Sequence, residues 1–156
     1  FLKAAQIAKQ SNTKIILSLS DSFCVDRHRE SFLKLIDEYV DIVFCNESEV
    51  LSLFNKDKLA NCQGELSSLC ELFVVTLGSN GSLIINKDSI EVIMSINQGK
   101  VIDTTGAGDI YAGGFIHGLI NNYSLKKCGE IASICAGQII TQLGSRSNID
   151  LKELIK

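Results

Sequence analysis

The spacing of apolar residues divides the chain into alternating helices and strands. Apolar residues at positions 1, 2, 4, 5, 7 and 8 predict a helix over 1–10 with a buried face. Residues 14–20 read as a strand. Arg29–Tyr39 reads as a helix with Phe32, Leu33, Leu35 and Ile36 inward. Residues 41–45 form a short apolar strand, followed by a helix over Glu47–Phe54 and a helical stretch over about 59–70. Another apolar strand, 72–77, runs into the turn Gly78-Ser79-Asn80-Gly81. Residues 82–86 and 90–96 predict a hairpin around Lys87-Asp88-Ser89, and Val101-Ile102 reads as a strand leading into residues 103–109. Helices follow over about 107–121, 125–143 and 150–155. Helix–strand alternation with continuously apolar strands predicts an α/β fold, mostly parallel in its sheet, with helices on both faces.

Composition narrows the class. The chain has 156 residues, 46% hydrophobic and 21% charged, which suits one folded domain and excludes a disordered chain. The formal charge is −3, and Arg27, Arg29 and Arg146 are the only arginines, so nucleic acid is not an expected partner. No apolar run reaches the roughly 20 residues of a membrane helix, and no signal peptide is visible, so no membrane partner is expected. The six cysteines include no C-x-x-C pair, and several sit in apolar segments. They read as reduced, core-filling thiols of a cytoplasmic protein. The chain opens on Phe1 and its only methionine is Met94, which reads as a fragment or processed product.

The strongest chemical signal is Asp103-Thr104-Thr105-Gly106-Ala107-Gly108-Asp109, followed by Ala112-Gly113-Gly114-Phe115. Small residues at 106, 107 and 108 let the backbone approach a ligand. They open a helix, where free N–H groups and the positive end of the dipole form an anion hole. Asp109 stands in the first turn, placed to take a proton from a hydroxyl while the backbone steadies a transferring phosphoryl group. A valine at Gly108 would crowd that path and disfavour any positive φ there. The dinucleotide fingerprint and the Walker pattern are both absent. Gly114 and Gly118 read as a close helix-packing contact.

These residues resemble the C-terminal signature of the ribokinase-like (PfkB) carbohydrate and nucleoside kinases. Three further stretches fall in that family's order. Asn46-Glu47-Ser48-Glu49 resembles its N-x-x-E element, Thr76-Leu77-Gly78-Ser79-Asn80-Gly81 its nucleotide loop, and residues 132–144 the helix that closes its adenine pocket. The stretch 20–29 resembles bacterial adenosine and sugar kinases. The resemblance implies a Rossmann-like three-layer sandwich and transfer of the ATP γ-phosphoryl group to a hydroxymethyl group of a sugar or nucleoside. It implies Asp109 as general base with Gly106, Ala107 and Gly108 as anion hole. It implies nucleotide contacts at Asn46, Glu49, Thr76, Gly78, Gly81 and Gly108. Asn46 and Glu49 would hold Mg2+ through water, and Asp103 and Thr105 would hold a monovalent cation such as K+. The family's N-terminal half, with most of the acceptor pocket and a lid, is expected on a partner segment. The isolated chain is then expected to be inactive and to self-associate.

Local alternatives remain at several of these positions. Asn46 and Glu49 have the form of a capping box. Gly78 and Gly81 suit a β-turn, and Thr76 an ordinary strand threonine. Asp103 and Thr105 suit a strand end and a helix cap. Arg27 and Arg29 suit either a solvated helix start or a phosphate contact. The alternative to a kinase is a non-catalytic remnant that binds nucleotide or pairs with a separate N-terminal chain.

Overall fold

The computed structural model describes residues 1–154. Its elements in order are α1 (Leu2–Gln10), β1 (Ile16–Ser18), α2 (Ser22–Arg27), α3 (Arg29–Tyr39), β2 (Ile42–Asn46), α4 (Glu47–Phe54), a 3-10 turn (Leu59–Cys62), α5 (Gln63–Ser68) and β3 (Leu72–Thr76). A 3-10 turn (Gly78–Asn80), β4 (Ser82–Ile85), β5 (Ile90–Ile93), α6 (Ala107–Ile120), α7 (Leu125–Ile139) and a last 3-10 turn (Leu151–Glu153) follow. The strands lie in one sheet in the order β1-β2-β3-β4-β5. Contacts divide the chain into two compact units, residues 1–76 with 85–90, and residues 77–84 with 91–154.

In the first unit β1, β2 and β3 run parallel, with Ile42 opposite Leu72 and Asn46 opposite Thr76. The apolar runs of β2 and β3 are buried from Ile42 to Cys45 and from Leu72 to Val75. Phe73 is sealed in this core and meets the Phe54 ring at 6.3 Å between centroids. Each large side chain buried this fully contributes about 1.5–3 kcal/mol. β1 is shorter than its apolar run because it pairs on one side and then breaks. There Asp21 N–H donates to Leu19 O at 2.9 Å across Ser20, whose φ is +69. α2 fills a stretch with no element expected, because Asp21 Oδ1 accepts from Cys24 N–H and caps it. α1 departs from its predicted burial. Only Ala5 is buried, while Leu2 and Ile7 are exposed. α3 buries Ile36 fully and Phe32, Leu33 and Leu35 in part.

In the second unit α6 packs on α7 through small residues. A Cβ added at Gly114 would stand 3.0 Å from Ala132 Cα, and one at Gly118 would stand 2.7 Å from Cys128 Sγ. The G-x-x-x-G spacing is therefore a close-packing device. Three expectations are corrected. Val101-Ile102 is not a strand: both side chains are exposed, and Ile102 N–H is tied to Ile140 O rather than to a ladder. The helix expected over 125–143 ends at Ile139, after which the chain turns back toward residue 103. The helix expected over 150–155 is one 3-10 turn, and its end at Ile155 lies outside the described residues. In the first unit, likewise, the stretch 59–70 is a 3-10 turn followed by the short α5.

All six cysteines are free thiols, and Cys45, Cys62, Cys128 and Cys135 are buried. Burial raises the Cys45 thiol well above its ordinary value and the Cys70 thiol to about 11. Both stay protonated at neutral pH and act as apolar filling.

Candidate active site

In the first unit two parallel strands end side by side at their carboxyl ends, the position where open α/β sheets bind ligands. Asn46 ends β2 and caps α4. Its Oδ1 accepts from Glu49 N–H at 2.9 Å and from Ser48 Oγ at 2.7 Å. Glu49 returns two bonds: Oε2 accepts from Asn46 N–H at 3.0 Å, and Oε1 from Asn46 Nδ2 at 2.8 Å. The capping box is thus complete. Asn46 is exposed, while Glu49 is only 4% exposed. Burial holds the Glu49 carboxyl above its ordinary value against the opposing hydrogen bonds from Asn46, and Asp21 adds to the rise. Thr76, beside Asn46 in register, donates from Oγ1 to Cys45 O at 3.3 Å.

This donor set fits a magnesium ion only at second hand. Among the described residues no three His, Cys, Asp or Glu side chains cluster to hold a metal. Both Glu49 oxygens already accept bonds from Asn46. One carboxylate and one amide with spare lone pairs suit a hydrated Mg2+, which keeps several waters and takes its remaining ligands from phosphate. Arg29 is engaged elsewhere. Its Nε donates to Ser52 O at 2.8 Å, holding α3 to α4, and Nη2 pairs with Asp26 of α2 at 2.6 Å.

The second unit, taken by itself, holds a turn and a helix start. In the turn, Leu77 N–H donates to Gly81 O at 2.8 Å and Gly81 N–H to Gly78 O at 3.1 Å. Gly81 has φ +90, and a Cβ there would lie 1.9 Å from Ile93 O. No other residue fits. Gly78, at φ +58, opens onto free space. The β-turn reading of Gly78 and Gly81 therefore holds as local geometry.

Residues 103–109 are held by a clasp the sequence does not reveal. Asp103 Oδ1 accepts from Thr105 N–H, and Oδ2 from Gly144 N–H, both at 2.9 Å. These bonds, Gly144 first, hold the Asp103 carboxyl below its ordinary value. Both Asp103 oxygens accept bonds from backbone N–H groups, so Asp103 holds the shape of the loop. Gly106 caps α6 at φ +79 and lies against Ser145, where a Cβ would come within 2.5 Å of Ser145 Cβ. The positive φ belongs to Gly106 and not to Gly108, which has open space where a Cβ would stand. Ala107 N–H turns back to Thr104 O, while Gly108 and Asp109 N–H have no acceptor among the described residues. Asp109 is exposed in the first turn. The structure thus brings two open N–H donors and one exposed carboxylate together at the start of a 14-residue helix.

The described residues thus present an uncapped helix start with an exposed carboxylate beside it, within an α/β fold. The chain belongs to the pfkB family carbohydrate kinases, whose family profile matches residues 1–152. Its fold is the ribokinase-like α/β sandwich. A probable sugar kinase from Rhizobium etli superposes with a TM-score of 0.94 at 39% identity, over 98% of this chain and 47% of that one. The adenosine kinase from Sinorhizobium meliloti gives 0.93 at 37% identity, over 97% and 47%. The nucleoside kinase of Methanocaldococcus jannaschii is 32% identical over 149 residues, 95% of this chain and 47% of that protein. The chain therefore spans about half the length of the relatives it matches. No helix among the described residues is long and apolar enough to cross a membrane.

Proposed function

We propose that this chain supplies the nucleotide-binding and catalytic part of an ATP-dependent phosphotransferase. The acceptor is a hydroxymethyl group of a sugar or nucleoside. The observation that carries the proposal is the start of α6, where Gly108 and Asp109 N–H are open and the Asp109 carboxylate is exposed. Membership of the pfkB family supports it.

The chemistry follows from those groups. Asp109 takes the hydroxyl proton as the acceptor oxygen bonds to the γ-phosphorus and the bond to the departing ADP oxygen breaks. Backbone donors at Gly106 and Gly108 face the charge that develops on the transferring group, while Ala107 N–H, bonded to Thr104 O, shapes the turn that presents them. Thr76, Gly78 and Gly81 hold the nucleotide. Asn46 and Glu49 hold hydrated magnesium, which when bound neutralises phosphate charge. The adenosine and sugar kinases among the relatives make those two acceptor classes the first to test. Sugar or nucleoside selection and water exclusion fall to an N-terminal half, supplied in the same chain or by a partner.

Two measurements test this. Residues 1–156 are titrated with Mg-ATP in a calorimeter, then assayed for phosphotransfer with and without the N-terminal half of the relative from Rhizobium etli. Binding without turnover, and turnover once the half is added, support the proposal. A folded chain that neither binds Mg-ATP nor gains activity leaves the non-catalytic remnant as the better reading.

A further inference from the structure

The second unit holds one polar pair, sealed from water, that plays no part in phosphoryl transfer as derived above. The Tyr111 hydroxyl lies 2.6 Å from the Ser82 hydroxyl, with Ser82 0% and Tyr111 5% exposed. Two buried hydroxyls are unfavourable unless they bond one another, and apolar residues would fill the space without that constraint. Burial raises the Tyr111 phenol to about 12, so it remains a neutral O–H at physiological pH.

The place of the pair in the chain is informative. Ser82 directly follows Gly81, the last residue of the nucleotide loop, and Tyr111 stands two residues beyond Asp109 on α6. Gly81 is pressed against Ile93 O on one side of the loop. The start of α6 is clasped by Asp103 with Gly144 and by Gly106 against Ser145. Contacts at Gly114 and Gly118 bring α6 close to α7. Contacts between small residues restrain direction weakly, whereas a hydrogen bond is strongly directional.

We propose that Tyr111 and Ser82 are positioning residues for phosphoryl transfer, their buried hydrogen bond fixing the first turn of α6 relative to the 78–81 loop. In-line transfer is sensitive to such placement, since a misplacement of about 1 Å costs on the order of 10²-fold in rate. The inference rests on the kinase reading above.

Tyr111→Phe, Ser82→Ala and the double variant are compared in the phosphotransfer-competent protein, residues 1–156 with the N-terminal half. Each single variant strands one buried hydroxyl and lowers Tm. The double variant strands none and returns close to the parental Tm. Well below every Tm, the kcat of the double variant and of Tyr111→Phe is expected to stay about tenfold or more under the parent. The calorimetric Kd for Mg-ATP is expected to stay within about threefold, because the loop's own contacts are intact. A double variant that recovers both Tm and kcat assigns the pair to stability alone and overturns the inference. So does a Tyr111→Phe variant with parental kcat, or a weakened Kd with kcat unchanged. An inactive parent overturns the kinase reading and this inference with it, whereas an active parent with unaffected variants overturns this inference alone.

Discussion

Two helix starts, one in each unit, are built in opposite ways. α4 is capped by its own side chains: Asn46 Oδ1 accepts from Glu49 N–H and Glu49 Oε2 from Asn46 N–H, which satisfies two backbone donors from within four residues. α6 has no side-chain cap. Its cap residue is a glycine at φ +79, and the next donors, Gly108 and Asp109 N–H, meet no acceptor among the described residues. A capped start satisfies backbone donors from within the chain and acts as a stable scaffold. An uncapped start leaves the donors and the dipole for a ligand. Under the proposed function, the N-x-x-E element serves structure first and residues 106–109 serve chemistry first.

The largest expected effect breaks the chemical side of this contrast. Asp109→Asn, in the protein completed by its N-terminal half, keeps the shape and removes the proton acceptor. Turnover is expected to fall by about 10²–10⁴, the usual contribution of a positioned base. Mg-ATP affinity by calorimetry should change little. A loss under about tenfold in steady-state kcat removes Asp109 from the role of base.

Next come the two glycines of the anion hole, which separate strain from access. Gly106→Ala forces a side chain into the left-handed region and against Ser145, so a loss of about 2–4 kcal/mol is expected in urea unfolding. Gly108→Ala enters open space and should unfold as the parent does, yet lower kcat by standing in the path of the phosphoryl group. Equal stability losses at the two positions would contradict the observed split between a strained and a free glycine.

A smaller effect is expected at the closed start. Asn46→Ala removes the side-chain acceptor for Glu49 N–H and is expected to cost about 1 kcal/mol, measured in the same unfolding assay. It also weakens Mg-ATP binding if the element holds the ion as proposed.

The smallest effects are in pH dependence, and the two carboxylates move in opposite directions. Burial raises Glu49 above its ordinary 4.5, so the folded chain retains a proton that the unfolded chain has released. Its contribution therefore falls as pH rises from about 4.5 through the raised value, and Glu49→Gln should flatten that loss. Asp103 is held below its ordinary 3.8 by Gly144 and Thr105 N–H. Its contribution is complete above that value and fades as pH falls through the lower one, so Asp103→Asn should flatten the acid limb. Urea midpoints followed from pH 3 to 7 (an interval of about four units around the ordinary carboxylate values) read both slopes.

What the residues alone determined is whatever closes within a turn or two of chain. The capping box at Asn46 and Glu49, the helix opening at Ala107, the turn at Gly78 and Gly81, and the apolar cores of β2 and β3 follow from patterns a few residues long. Tertiary structure decided the rest. Val101-Ile102 is apolar enough for a strand but has no ladder partner, and a partner is a property of the whole chain path. Which glycine of the anion hole is strained depends on Ser145, and the shape of the 103–109 loop depends on Gly144, 41 residues from Asp103. The bond between Ser82 and Tyr111 spans 29 residues. Such contacts leave no periodic trace, because spacing along the chain records only neighbours within a helix turn or a strand pleat. Long-range partners are chosen by packing and by the need of buried polar groups for one another.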